Sequence, residues 1–394
     1  MNIILADVHR DNLLPFTFMR PVAGIRCGIL TIAGKWNFLA GGNCSFLTED
    51  YLKKKYPIHV EEQNIIVNGA VLITPAVFDE VKKLQPGNAL HSGDTIIAVC
   101  VTKVKMQDVS TFEHVHFEKK IASAHTIREL NYPWDIFNYN DEAIRSDFEM
   151  LTQNRSTQNL SSTNILINPS QIFIEEGAKV ECAVLNASTG PIYIGKDAEV
   201  MEGCTIRGPF ALGEHAVLKM AAKIYGATTI GPQSKVGGEV SNAVIFGFSN
   251  KAHDGFLGNS VIAEWCNLGA DTNNSNLKNN YGKVKAWNYK SKKMIDTGLQ
   301  FCGLMMADHS KAAINTMFNT GTVVGVSANV FGGGFPPKFI PSFSWGGFSD
   351  EAFQLDKAVA LAEEVYKRRN LLFDQTELEI MSHVNTLELR LPSN

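Results

Sequence analysis

Ile194–Val236, reading IGKDAEVMEGCTIRGPFALGEHAVLKMAAKIYGATTIGPQSKV, decides the fold. Stepping by six from Ile194 meets Val200, Ile206, Leu212, Leu218, Ile224, Ile230 and Val236, every one aliphatic. A helix repeats near 3.6 and an exposed strand at two, so this period belongs to neither. A step of eighteen runs through Gly177, Gly195, Gly213 and Gly231, and the small residues Ala198, Ala216 and Ser234 share it. Three hexads therefore make one coil, each hexad supplying a short strand and a turn. The aliphatic residue points inward, stacked coils share one core, and the glycine fits a corner whose backbone geometry penalises a Cβ. The expected architecture is a parallel β-helix from about Ile172 to Phe331. A β-sandwich would alternate with period two and turn every 8–12 residues, which this stretch does not do.

Moving outward, Phe256, Ile262 and Leu268 keep the six-residue step after a looser stretch, and Met306, Ala312, Phe318, Val324 and Val330 restore it. Between them Leu277–Asp296, LKNNYGKVKAWNYKSKKMID, breaks the hexads and carries Lys278, Lys283, Lys285, Lys290, Lys292 and Lys293 against one acid, Asp296. Such a loop is a candidate phosphate clamp or a solvated hairpin, and both readings stay open.

The two ends read differently. Asn2–Ala6 is an expected strand, Thr74-Pro75 caps a helix over AVFDEVKKL, and Gly93-Asp94 turns into the strand TIIAVCV. Alternating elements of this kind suggest an α/β domain. Tyr132-Pro133-Trp134-Asp135 reads as its exit, with a polar linker near Gln153–Thr163. Past the solenoid, GGGFPPKFIPSFSWGG reads as an irregular loop whose aromatics cover the last coil. Ser349, with Asp350 and Glu351 behind it, caps a helix that presents Phe353, Ala358, Leu361, Ala362, Val365 and Tyr366. The expected domains are 1–162, a short α/β unit; 163–345, the β-helix; and 346–394, a helical cap for the open end.

Composition excludes several function classes. Among 394 residues, 36 basic and 40 acidic side chains leave no field that would hold nucleic acid or an anionic membrane. Hydrophobic residues at 45% and charged residues at 19% are those of a folded globular chain. Seven cysteines without a C-x-x-C pair argue against a zinc ribbon or a disulfide framework, so they are expected to be reduced and mostly packed. The first residues, MNIILADVHRDN, lack a signal-peptide pattern, and no apolar run approaches a membrane span. A cytoplasmic location is the expectation.

The residues that carry a resemblance are Lys251–Gly258 (KAHDGFLG), NLGADTNNSNLK from Asn267 and GLMMADHSKAAINTMFNTGTVVG from Gly303. Through them the solenoid resembles the acetyltransferase half of the bifunctional N-acetylglucosamine-1-phosphate uridyltransferase / glucosamine-1-phosphate N-acetyltransferase family and its archaeal sugar-1-phosphate relatives. The chain as a whole looks most like a Bacteroidetes-type variant with a shortened N-terminal half. The resemblance implies a left-handed β-helix, a homotrimer and acetyl-CoA as co-substrate. It aligns His253 with the family's catalytic base, a role that suits an imidazole because acetyl transfer to an amine requires the amine to lose its proton. It aligns Asn267 and Asn276 with asparagines that orient the sugar and the acetyl group, work for which a neutral amide both donates and accepts. His309, Ser310 and Lys311, with Ala270, fall in coils the family uses for acetyl-CoA.

Two departures stand out. Phe256 occupies the position where the family usually has a tyrosine, and the family's phosphate-site lysine is missing near Val240-Ser241. Arg207, Lys223, Lys283 and Lys285 are the candidates to replace it. In the N-terminal half, Ile4–Arg10 echoes the strand and arginine of a sugar nucleotidyltransferase phosphate loop without its glycines. Arg10, Arg20, Arg26 and Lys35 are candidates for a nucleotide triphosphate, with Asp7 calling for Mg2+ if UTP or dTTP binds. His215, His253 and His309 form no H-x-x-x-x-H pair, so no metal is expected there. The expected function is N-acetylation of glucosamine 1-phosphate coupled to formation of UDP-N-acetylglucosamine for the cell envelope. Nucleotidyl transfer alone, with an oligomerising solenoid, and a non-catalytic module are the alternatives.

Overall fold

A computed structural model describes residues 2–107, 109–347 and 351–388. The chain divides into two compact units: Met1–Leu13 with Thr17–Ile25 and Leu30–Tyr132, and Leu14–Phe16 with Arg26–Ile29 and Pro133–Asn394. Along the chain the longest segments of the two units meet between Tyr132 and Pro133.

The first unit is built on a six-stranded mixed sheet. Its strands are β1 (Asn2–Ala6), β2 (Ser45–Leu47), β3 (Gln63–Asn68), β5 (Asn88–Ser92), β6 (Thr95–Thr102) and β7 (Lys119–Ala122), in the order β2-β1-β3-β6-β5-β7. A separate pair joins β4 (Val71–Leu72) to β8 (Arg128–Glu129). All five residues of β1 are buried, as befits a central strand with a parallel neighbour on each side. Thr74 accepts the Val77 amide and Pro75 opens the helix Pro75–Val81, as the sequence predicts. Gly93, at φ 56°, makes the turn from β5 into β6.

The second unit is a parallel β-solenoid with nine strands stacked on each of two faces. Its strands are two to four residues long, too short to persist alone. Their stability comes from the column inside, where Ile194, Val200, Ile206, Leu212, Leu218, Ile224, Ile230 and Val236 share one buried cluster with Met306, Phe318 and Val324. Each such side chain taken from water contributes about 1.5–3 kcal/mol. The eighteen-residue step is the strand register itself: Ile194 pairs with Leu212, and Leu212 with Ile230.

Four expectations are corrected. First, Gly195, Gly213 and Gly231 are not the left-handed residues of the corner. That conformation falls two positions later, on Asp197, His215 and Gln233, at φ 53°, 54° and 62°. The glycines are required because the next coil lies against them: a Cβ on Gly213 would stand 2.6 Å from the Pro232 nitrogen. Second, the coils shorten after Val236, so that Val240 pairs with Leu257 and Ile245 with Ile262, seventeen residues apart. The inward residue is therefore Leu257, and Phe256 faces outward. Third, the segment read as an irregular loop is the last coil, with Phe339-Ile340 paired to Val323-Val324 and Trp345-Gly346 paired to Asn329-Val330. Before the repeat, Ile165–Ile167 pairs with Val184–Asn186 on the third face, inside the expected 163–345 bounds. Fourth, the C-terminal helix spans Leu355–Lys367 with Gln354 at its N-cap, and a second helix follows at Gln375–Glu388. Ser349 and Asp350 lie outside the described residues, and Leu361 is exposed where Ala358, Ala362 and Tyr366 are buried.

The corner that carries Asp197, His215 and Gln233 continues upward through Phe248, Trp265, His309, Ser327 and Phe343, all with positive φ. Trp265 stacks on Phe248 at 4.4 Å and on Tyr366 of the C-terminal helix at 4.0 Å. That aromatic column seats the helix on the solenoid. Cys27, Cys100, Cys204, Cys266 and Cys302 are buried, Cys44 is half-buried and Cys182 exposed, all with free thiols. Burial pushes the thiols of Cys44, Cys266 and Cys302 up to about 12. Among the described residues no helix is long and apolar enough to cross a membrane.

Candidate active site

The irregular coils gather part of the expected constellation. His253 lies in the turn between the strands Asn250-Lys251 and Phe256–Gly258. Its imidazole is exposed and takes no hydrogen bond among the described residues. Its carbonyl is held instead, accepting at 2.6 Å from Lys251 Nζ, which also donates to the Gly237 carbonyl at 3.2 Å. Lys251 occupies the register position of an inward aliphatic residue, paired with Val236, and is only 2% exposed. Burial pushes its ammonium down to about 8, against the opposing pull of Asp254 and Asp271. A lysine in a core column, rather than any catalytic motif, was the sequence signal for it.

Phe256 and Asn276 converge over Gly258, where a Cβ would stand 2.5 Å from Phe256 Cζ and 2.7 Å from Asn276 Nδ2. The Asn276 amide donates to Asn259 Oδ1 at 2.8 Å. Beneath them Asn274 replaces the aliphatic residue of the core column. Its Oδ1 accepts the Gly258 amide and its Nδ2 donates to the Gly258 carbonyl, so the polar intrusion is satisfied. Asn267 is not beside Asn276: it stands exposed on a different face, paired with Asn250 and Lys311.

The candidate phosphate ligands are spread out. Lys223 pairs with Glu239, and Glu239 with Phe256, which puts Lys223 about 10 Å from Phe256 with a carboxylate between them. Arg207 is one strand further. The lysine loop folds as a hairpin, Lys285–Asn288 against Lys293–Asp296, with Lys283 and Lys285 exposed. Trp287 stacks on Phe339 at 4.3 Å and anchors the hairpin to the last coil. Lys278 donates to the Lys283 carbonyl at 2.7 Å. Burial and the neighbouring Lys278 hold Lys338 below the usual lysine range.

In the coil expected at acetyl-CoA the side chains of His309, Ser310 and Lys311 contact the protein itself. His309 is buried in the aromatic column, parallel to Trp265 and Tyr366 and edge-on to Phe373. Ser310 donates to the Gly325 carbonyl at 2.5 Å, and Lys311 donates to the carbonyls of Trp265 and His309. Ala270 is half-buried, its carbonyl accepting from the Asn315 amide.

In the first unit the loop after β1 braces itself. Asp7 accepts from the Val22 amide at 2.7 Å, from Thr48 Oγ1 at 2.5 Å and from Arg10 at 3.0 Å. Arg10 also donates to the Thr17 carbonyl and to Tyr51 Oη. Arg20 and Lys35 are buried, and Arg26 belongs to the second unit, where it donates to the carbonyls of Phe246 and Ile29. Among the described residues no group of three or more His, Cys, Asp or Glu side chains is placed to hold a metal ion.

Residues 2–156 match the sugar nucleotidyl transferase family. Over 269 residues the chain is 24% identical to the bifunctional sugar-1-phosphate nucleotidylyltransferase/acetyltransferase of Sulfurisphaera tokodaii, a match spanning 64% of this chain and 60% of that protein. It is 24% identical over 343 residues to the bifunctional protein GlmU of Methanocaldococcus jannaschii, covering 82% and 72% respectively. The solved structure of Arabidopsis UDP-N-acetylglucosamine acyltransferase aligns with 59% of this chain and 96% of its own at 11% identity and a TM-score of 0.19, a likeness too slight for comparing sites. Residues 2–156 thus match the sugar nucleotidyl transferase family, and the chain is similar, over part of the length of each, to proteins named as bifunctional nucleotidylyltransferase/acetyltransferase and GlmU.

Proposed function

We propose that the chain is a bifunctional transferase that acetylates glucosamine 1-phosphate from acetyl-CoA and joins the product to a nucleotide, forming UDP-N-acetylglucosamine. The observation that carries the acetyl-transfer half is the exposed His253 imidazole, free of partners among the described residues, on a turn whose carbonyl Lys251 clamps. His253 takes a proton from the sugar ammonium, and the amine attacks the thioester carbonyl. The new C–N bond forms as the C–S bond breaks, and coenzyme A leaves as the thiol. Asn276, beside Phe256, supports the sugar, and Asn267 the acetyl group. Because Asn267 and Asn276 stand on different faces of one chain, we read the complete site as shared between copies of a homotrimer. In that arrangement the exposed Lys283 and Lys285 of the hairpin supply charge for the sugar phosphate, and Mg2+ with UTP or dTTP serves the N-terminal unit.

Release of free thiol from acetyl-CoA on adding glucosamine 1-phosphate tests the reading. The wild-type protein should release it, and His253→Ala should lower the rate by about 10²–10⁴. Absence of thiol release, or release unchanged by the substitution, sinks the acetyltransferase claim. A second reading is nucleotidyl transfer alone, supported by the family match over residues 2–156. Under it pyrophosphate appears from UTP or dTTP with a sugar 1-phosphate and no thiol appears.

A further inference from the structure

In the first unit the strand order turns back at β1, which lies between β2 and β3. In open α/β sheets the crevice at the carboxyl ends of strands, where the order reverses, is where ligands bind. The charged residues that the sequence offers there, Asp7 and Arg10, are spent on each other and on the loop, as described above. A different pair remains. His9 follows β1 in the left-handed conformation, at φ 57°, with its side chain one-third exposed. Its Nε2 stands 3.1 Å from Glu129 Oε1, and its Nδ1 has no partner among the described residues.

Glu129 is built in from several elements. Asn68, the last residue of β3, donates from Nδ2 to Oε1 at 2.6 Å, and Thr95, the first of β6, donates from Oγ1 to Oε2 at 3.1 Å. Asn68 is oriented in turn by the Ala70 amide, which donates to its Oδ1 at 2.9 Å. Burial works to raise the carboxyl, but the hydrogen bonds from His9, Asn68 and Thr95 together hold it below the usual range. Four separate segments thus converge to fix one ionised carboxylate behind one imidazole. A carboxylate with three of its roughly four acceptor sites taken by His9, Asn68 and Thr95 is poorly placed to be the ligand-binding group. What it does is orient the ring through Nε2, leaving Nδ1 as the nitrogen turned to a ligand.

The geometry points to His9, backed by Glu129, as a group that donates to a phosphate oxygen of the ligand held by the N-terminal unit. This rests on the nucleotidyl-transfer half of the function proposed above. The shared chemistry is a phosphate oxygen, on either a sugar 1-phosphate or a nucleotide triphosphate. His9 is the contacting residue and Glu129 the positioning one.

Titration calorimetry on the full chain separates the sources, one arm using N-acetylglucosamine 1-phosphate and the other UTP with Mg2+. His9→Ala should weaken one of the two about tenfold, leaving the other within about twofold, because a charge-assisted hydrogen bond is lost from one phosphate. Glu129→Gln should weaken the same ligand by less, and His9→Gln, which keeps a donor, should recover part of the loss. The proposal is overturned if both affinities are unchanged in His9→Ala, if both fall equally together with the melting temperature in His9→Ala and His9→Gln, or if the wild-type protein binds neither ligand. A wild-type protein that binds its ligand through His9 but releases no pyrophosphate would sink the nucleotidyl-transfer reading and leave the phosphate contact standing.

Discussion

Lys251 offers a sharp test of how the irregular coil is held. Lys251 is 2% exposed, and burial pushes its ammonium from the usual 10.5 down to about 8. Between those two values the unfolded chain carries more of this proton than the folded chain does, so stability rises with pH across the window. Below about 8 both states are protonated and the cost of burying the ammonium is fully present. Above about 10.5 both are neutral and the cost is gone. The shift corresponds to about 3 kcal/mol. Lys251→Met keeps a long apolar stem in the Val236 column and removes the titration. Urea unfolding of both proteins at steps from pH 7 to pH 10.5 reads the difference, since ionisations common to the two chains cancel. The wild-type protein should gain about 3 kcal/mol relative to the variant over that range. A gap between the two curves constant to within about 0.5 kcal/mol would refute the argument, because ±0.5 kcal/mol is the scatter of a surface change.

Trp265→Ala removes the ring that stacks on Phe248 and Tyr366, and should cost about 3–5 kcal/mol. Because coils couple chiefly to their neighbours, the loss should show as faster proteolysis between residues 368 and 374 while the lower coils stay protected. Gly213→Ala brings a Cβ within 2.6 Å of the Pro232 nitrogen and should destabilise by about 1–3 kcal/mol. Gly42→Ala, with nothing within 4 Å, should change the melting free energy by less than about 0.5 kcal/mol, and equal effects at the two glycines would contradict the close-approach explanation.

The solenoid was legible because its core is periodic in sequence. Each inward residue from Ile194 to Val236 is aliphatic for the same reason, and a hexad period is compatible with no helix or sandwich. Where the coils change length, the same rule misplaced the inward residue by one, at Phe256 and Leu257, because periodicity carries phase only while the repeat is constant. The last coil was missed for a related reason: Phe339-Ile340 and Trp345-Gly346 are strands by virtue of their neighbours, and nothing in a proline- and glycine-rich stretch signals pairing. His253 and Asn276 were singled out from the local motif, and the structure leaves the His253 ring exposed and sets Asn276 beside Phe256 over Gly258. Lys251 was readable only in register, since a lysine becomes informative once Val236 is known to lie beside it.

The sequence by itself determined the repeat, the identity of its core residues and the place where the repeat fails, because all three depend on spacing along the chain. Only the tertiary structure decided which side chains remain free for chemistry. Arg10, Ser310 and Lys311 have the right chemistry for phosphate or coenzyme, yet their donors go to Asp7, the Gly325 carbonyl and the carbonyls of Trp265 and His309. His253 keeps its ring in solvent, while His309 lies buried among Trp265, Tyr366 and Phe373. The two histidines are alike in sequence, and they differ because buried polar groups must find partners while exposed ones need not.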